Sequence, residues 1–259
     1  MPLPTQDFCF CTLALREKYR LLAQQLATDL AEQSPGTQLV VGTDRPEAFQ
    51  SCSNVLAFEL HQQGILHCYH DKRFVLRRAL TQYRTAIQID ADSRIVQPLP
   101  ELPPRSPGVS SHVLENLLAH VSRYTPERLR HLQKLAEKLQ VPLEKVSFVG
   151  EALFSITNDD AQIALRFLDC WDLVARYLEL HGIHAGEGNA IGLAAAKVGL
   201  TVAPASWLDP IDQALKHLDA SAQGRRLSQG QKLQRRLRYH YRLNLARLQA
   251  LQNFDFYYR

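Results

Sequence analysis

Asp90-Ala91-Asp92 is the sole D-x-D tripeptide in the chain, and an apolar run, Ala86–Ile89, leads directly into it. The run reads as a strand. Side chains alternate along an extended chain, so residues i and i+2 point the same way. Two carboxylates on one side of a strand end form a hard-oxygen site suited to Mg²⁺ or Mn²⁺. Such a cation usually carries substrate phosphates too, so a nucleoside-diphosphate substrate is the first expectation. The plainer alternative is a strand-end turn whose aspartates cap nearby amides.

A second group of chemistry-bearing residues is His70-Asp71-Lys72-Arg73, at the start of a helix expected over His70–Tyr83. Asp71 suits a helix N-terminus. Lys72 and Arg73 are placed to reach a diphosphate or a sugar, and a solvated first turn would show the same residues.

The elements that must position these groups alternate. Asp7–Leu15 reads as a buried strand, and Arg16–Gln33 has helical spacing through Tyr19, Leu22, Leu26 and Leu30 before Ser34-Pro35-Gly36 stops it. Strands are expected at Gln38–Gly42 and Asn54–Leu60, then a helix, then the strand before Asp90. This alternation predicts an α/β fold, a Rossmann-like and mostly parallel sheet flanked by helices, with right-handed crossovers. Ligands of such sheets sit beyond the carboxyl ends of the strands, where Leu15-Arg16, Thr43-Asp44 and Asp90–Asp92 would converge. Five prolines within Val96–Ser110 exclude a helix there. His112–Arg123 and Pro126–Leu139 read as helices, giving a helical insertion over about residues 109–140. Val146–Thr157 reads as a strand pair broken at Gly150-Glu151, Asp160–His181 and Ala190–Val198 as helices, and Leu200–Ala203 as a last strand.

Net charge is +4, yet eight basic residues and no acid lie between Arg225 and Arg247. Subtracting those eight leaves −4 on the rest, so the basic character belongs to the tail. Residues 1–220 are expected to form the main domain and 221–259 a basic amphipathic helical tail. Leu233, Leu237, Tyr241, Leu245 and Leu248 make one apolar stripe along it. The first expectation is that this stripe packs on the domain. A second is peripheral contact with a membrane surface. Nucleic acid is not expected, because one basic helix lacks a reading motif. The five cysteines include no C-x-x-C pair, so neither a disulfide framework nor a zinc site is expected. With no membrane span or signal peptide expected, a cytoplasmic protein fits best, with peripheral membrane contact as the variant.

Taken in order, the first strand ending T-L-A, the second ending T-D, the helix carrying D-K-R and the run I-Q-I-D-A-D-S-R-I resemble the GT-A glycosyltransferases. These are nucleotide-sugar enzymes with one Rossmann-like sheet and a D-x-D metal site. Phe148–Ile156 is similar to their N-x-G-hydrophobic strand, with Gly150-Glu151 in place of N-x-G. Gly186–Ala194 resembles their acidic helix start. Lys216–Arg226 is loosely similar to the late H-x-x-G-x-x-K of glycogenin-like retaining members, with different spacing after the histidine.

The resemblance implies a metal-dependent transfer of sugar from a nucleotide-sugar, UDP-linked by family likeness, to an unidentified acceptor. It implies that Asp92 binds Mn²⁺ or Mg²⁺ directly, that Asp90 binds the metal or the ribose, and that His217 is a third ligand. Thr12, Ala14 and Asp44 would hold the nucleobase and ribose, Lys72 would approach the phosphates or sugar, and Arg225 or Arg226 would neutralise the leaving diphosphate. Glu187 and Glu151 are the candidate catalytic carboxylates for sugar and acceptor; a helix-dipole partner and a bulge residue are their plainer roles. One rival is a sugar nucleotidyltransferase, disfavoured because Leu13–Tyr19 lacks the glycine-rich loop. Another is a non-catalytic GT-A-like binding or scaffold protein.

Overall fold

Strands covered on both faces read as continuous apolar runs, and Leu39–Thr43 is buried at all five positions. The computed structural model describes residues 6–102, 105–220 and 228–259. The strands are β1 (Gln6–Ala14), β2 (Leu39–Thr43), β3 (Val55–Glu59), β4 (Tyr83–Ile89), β5 (Ser93–Ile95), β6 (Gly108–Ser111), β7 (Leu114–Asn116), β8 (Ser147–Val149), β9 (Leu153–Thr157), β10 (Val202–Pro204) and β11 (Leu215–His217). The helices are α1 (Arg16–Gln33), α2 (Lys72–Ala79), α3 (Leu117–Tyr124), α4 (Leu129–Leu139), α5 (Ala161–Leu180), α6 (Glu187–Val198), α7 (Asp209–Ala214), α8 (Gln229–Ala250) and α9 (Phe254–Tyr258).

Seven strands form the central sheet in the order β10-β6-β9-β4-β1-β2-β3. Strand β9 runs antiparallel to both neighbours, and the other pairs are parallel. The α/β architecture with a mostly parallel, helix-flanked sheet is therefore present as expected. Helices cover both faces. On one side Cys9 and Cys11 of β1 join a core with Val75 of α2, Trp171 of α5 and Ile191 of α6. On the other, Phe10 and Ala14 pack with Leu26 and Leu30 of α1 and Ile211 of α7. The odd–even split along β1 is the strand's two-residue period made visible. All five cysteines are free.

Two small sheets attach to the main one: β5 with β11, and β7 with β8. The β5 ribbon is clamped to α1, because Arg94 Nε and Nη2 donate to Asp29 at 2.5 and 2.9 Å and the Ile95 N–H donates to the same carboxylate. Helix α6 lies against β8 at a distance only glycine permits. A Cβ on Gly192 would stand 1.8 Å from the Ser147 carbonyl oxygen, and one on Gly188 2.2 Å from that of Val149.

Three expectations need correction. The segment read as a helical insertion at 109–140 opens with strands β6 and β7, and its first helix begins at Leu117. Gly108, at φ 125°, lets β6 pass so close to Thr201 that a Cβ would meet its carbonyl at 2.5 Å. The helix read over His70–Tyr83 is shorter, Lys72–Ala79, and Tyr83 starts β4. Finally, the apolar stripe of α8 does not pack on the domain. Leu233, Leu237 and Leu248 remain 60%, 61% and 64% exposed. Helix α8 is held by its other side and its end, where Ala250 joins the α5–α6 core together with Tyr257 of the following α9.

Candidate functional site

The order β3-β2-β1-β4 reverses at the β1/β4 pair, and a crevice outside the carboxyl ends of such a pair is the natural ligand position. A cavity of about 410 Å³ lies there, and its walls include Leu13, Arg16, Lys72, Asp90, Asp92, Glu151, Glu187 and His217. The sheet, two helix starts and the β5–β11 ribbon each deliver part of it.

Asp90 follows β4 directly and shares parity with Ala86, which faces the α2–α5–α6 core. It therefore meets Lys72, the first residue of α2. Lys72 Nζ stands 2.7 Å from Asp90 Oδ1 and 2.9 Å from Glu187 Oε1. It also donates to the Glu151 carbonyl at 3.1 Å. An ammonium has three donors, and all three are engaged. Burial pulls the Lys72 pKa down, but the charges of Asp90 and Glu187 outweigh it and leave the amine well above its ordinary value. Burial holds Asp90 above the usual carboxylate range despite Lys72. For Glu187 burial acts upward too, but the Lys72 charge prevails and the carboxyl stays ionised below its ordinary value.

Glu187 arrives at this point because α6 starts earlier than the sequence suggested, with Gly186 in the left-handed region at φ 86° and Glu187 in the first turn. Arg128 Nη1 pins the preceding loop by donating to the Ala185 carbonyl at 3.0 Å. Glu151 Oε2 accepts the Gly188 N–H at 2.8 Å. Burial, then the nearby charge of Glu187, push the Glu151 carboxyl up to about 7. The two glutamates are thus electrostatically unlike: one fixed as an anion, one poised near neutrality.

Asp92 sits beyond the strand, in the turn leading to β5. Its Oδ2 accepts the Ala220 N–H at 2.9 Å and its carbonyl accepts the Leu218 N–H at 2.9 Å. Lys18 Nζ secures the same loop through the Ala220 carbonyl at 2.6 Å. The β5–β11 register sets His217 opposite Ser93, beside Asp92. His217 Nδ1 lies 3.7 Å from Asp92 Oδ1. One ligand atom from each of Asp90, Asp92 and His217 falls within 4.8 Å of the others, so the three could hold a metal ion. Two carboxylates and an imidazole fit a divalent cation, and the nitrogen favours Mn²⁺ over the more oxygen-demanding Mg²⁺.

Other expected site residues lie elsewhere. Thr12 and Ala14 are fully buried. They share the parity of Phe10, which faces α1, whereas Leu13 of opposite parity reaches the cavity. Asp44 is occupied by Arg20 Nη1 at 2.6 Å and the Arg16 N–H at 3.1 Å, and is not among the cavity-lining residues. Arg73 turns away to Asp172 on α5, at 2.5 Å through Nη2, and to the His70 carbonyl. Arg225 and Arg226 lie outside the described residues.

Arg16, expected at this strand edge, is joined in the site by His67 and Tyr69, for which no role was expected. Arg16 lines the cavity and is one of the few non-glycine residues in the left-handed region, at φ 73°. Strain of that kind is tolerated where surrounding structure enforces it, commonly at functional sites. His67 and Tyr69, which stack at 4.8 Å, also line the cavity and offer flat ring faces. Its position directly after an apolar strand placed Arg16 at this edge from sequence; the aromatic pair carried no such signal.

No protein-family model matches the chain, and no curated protein matches it. Among the described residues no helix is long and apolar enough to cross a membrane.

Proposed function

We propose that the protein is a metal-dependent glycosyltransferase of GT-A type that moves a sugar from a nucleoside-diphosphate sugar, UDP-linked by family likeness, to an acceptor hydroxyl. The observation that carries the reading is the convergence of Asp90, Asp92 and His217, together with Glu151 and Glu187, on one cavity at the β1/β4 carboxyl ends. Mn²⁺, when bound, supplies Lewis-acid stabilisation of charge on the departing diphosphate.

The chain's own groups divide the remaining work. Asp92 and His217 orient that end of the donor, and Arg16 offers a cation to the phosphates. Lys72 holds Asp90 and Glu187 in place and keeps Glu187 ionised. In the transfer the acceptor oxygen bonds to the sugar's anomeric carbon, and the bond from that carbon to the diphosphate oxygen breaks. The acceptor proton goes to a base. Glu151, its carboxyl raised to about 7, suits that role better than Glu187, whose ion pair with Lys72 resists protonation.

One observation favours a second reading, a non-catalytic GT-A-like binding protein: Lys72 already neutralises Asp90 and Glu187 without a metal. Calorimetry with UDP and Mn²⁺, followed by turnover of UDP-sugars, separates the two. Metal-dependent UDP binding with release of UDP from a sugar donor supports the transferase. Binding without turnover supports the binding protein, and no binding of any nucleotide removes both.

A further inference from the structure

Helix α8 has two apolar faces, and the domain uses only one. Tyr239, Leu243, Ala246 and Ala250 face inward, with the Tyr239 ring 6.0 Å from that of His184 and Ala250 fully buried. Leu233, Leu237, Tyr241, Leu245 and Leu248 are displaced from that set by two residues, which is roughly 200° around a helix. They form the opposite, outward face, where Tyr241 is 70% exposed and Leu237 61%. An exposed apolar stripe of this length marks a surface that something covers.

We propose that this face of α8 docks on an anionic lipid bilayer. Charge complementarity selects that occupant. Helix α8 carries Lys232, Arg235, Arg236, Arg238, Arg242 and Arg247 and no acidic residue. Two copies of the helix laid stripe to stripe would bring cations against cations with no acid to pair them. A polynucleotide would engage the arginines and leave the leucines in water. An anionic bilayer takes both: the stripe enters the acyl boundary while Arg238 and Arg247, which flank it on either side, meet headgroup phosphates. Aliphatic arginine stems add apolar cover and leave the guanidinium at headgroup level.

The docking would set the cavity beside the lipid surface. Tyr239 packs on the His184 loop, and that loop's next residues, Ala185 and Gly186, line the cavity. His67, which also lines the cavity, feels the charge of Arg235. The surface is independent of the proposed chemistry, so it can fail or hold without altering that reading.

The test is flotation of the full chain with vesicles of phosphatidylcholine alone and of phosphatidylcholine mixed with phosphatidylglycerol, at low and high salt. Binding to the mixed vesicles, weakened by salt and absent from the neutral ones, is the expected result. The double variant Leu237→Glu/Tyr241→Glu should lower the bound fraction roughly tenfold or more, and Arg238→Gln/Arg247→Gln should lower it less. Both variants alter the outward face, so an unchanged melting temperature shows that the fold is intact. Undiminished vesicle binding by the folded Leu237→Glu/Tyr241→Glu protein overturns the proposal. So does failure of the wild type to float with anionic vesicles, whether sedimentation shows a self-associated chain or gel shift shows nucleic-acid binding.

Discussion

The Lys72 ammonium stands 2.7 Å from Asp90 Oδ1, on the very carboxylate that the metal site shares with Asp92 and His217. One lysine therefore balances buried Glu187 and partly exposed Asp90, and competes with a divalent cation for Asp90. Lys72→Met should remove both ion pairs and leave Asp90 and Glu187 uncompensated. Breaking a buried pair costs about 3–5 kcal/mol. Urea unfolding should show a loss of that order without metal, and Mn²⁺ should restore more stability to the variant than it adds to the wild type. Equal Mn²⁺ effects on the two proteins would show that lysine and metal do not share Asp90.

Glu151 carries the pH expectation. Burial and the Glu187 charge bring its carboxyl to about 7, and a base must be deprotonated to accept the acceptor's proton. Turnover should therefore rise with pH through an apparent value near or below that figure, since a bound cation favours the ionised form. Glu151→Gln should abolish that limb and lower kcat by roughly 10²- to 10⁴-fold. A Glu151→Gln enzyme with the same pH profile as the wild type would assign the base elsewhere.

A different acid governs stability. Burial raises Glu179 to about 8, and the neighbouring Asp71 charge adds to it. Its folded pKa thus lies above the ordinary value of 4.5. The stabilisation from holding the proton is complete below the unfolded pKa and is lost as pH rises toward 8. The slope is at most about 1.4 kcal/mol per pH unit. Glu179→Gln should flatten the decline of stability between those two values; an unaltered pH dependence in denaturant melts would contradict the assignment.

Much of this arrangement could be read in the sequence, and the boundary is physical. Helix α1 begins at Arg16 and ends at Gln33 as its spacing and the Ser34-Pro35-Gly36 stop predict, because its signals are local. The strand into Asp90 was legible for the same reason. Thr12 and Ala14 were not, because the opposite parity, that of Leu13 and Leu15, is the one that reaches the cavity. Strands β6 and β7 are short and polar, and their pairing depends on partners distant in sequence. The α8 stripe shows a similar limit: periodicity located an apolar face, but the inward one is set by Tyr239, Leu243 and Ala246, which form a second face. The Lys72–Asp90–Glu187 triad joins three separate segments and has no local signature.

Gly192 tests how the site is built. A methyl there would collide with the Ser147 carbonyl at 1.8 Å, and backbone cannot swing aside as a flexible side chain can. Gly192→Ala should push α6 off β8 and lower stability by about 1–3 kcal/mol, as overpacking does. It should also weaken ligand binding, since α6 carries Glu187. Gly199→Ala is a control for space alone, with nothing within 4 Å, although its φ of 70° still adds strain. A Gly192→Ala protein of wild-type stability would mean that α6 is not wedged against β8.

Asp92 decides the account as a whole. Asp92→Asn keeps an oxygen able to accept the Ala220 N–H that Oδ2 now accepts at 2.9 Å, yet removes the charge a cation requires. Isothermal titration of wild type and Asp92→Asn with Mn²⁺, and with UDP in its presence, measures this directly. One Mn²⁺ site is expected in the wild type, with a fall in affinity of at least about tenfold in the variant and loss of metal-dependent UDP binding with an unchanged fold. Equal Mn²⁺ and UDP affinities in the two proteins would contradict it.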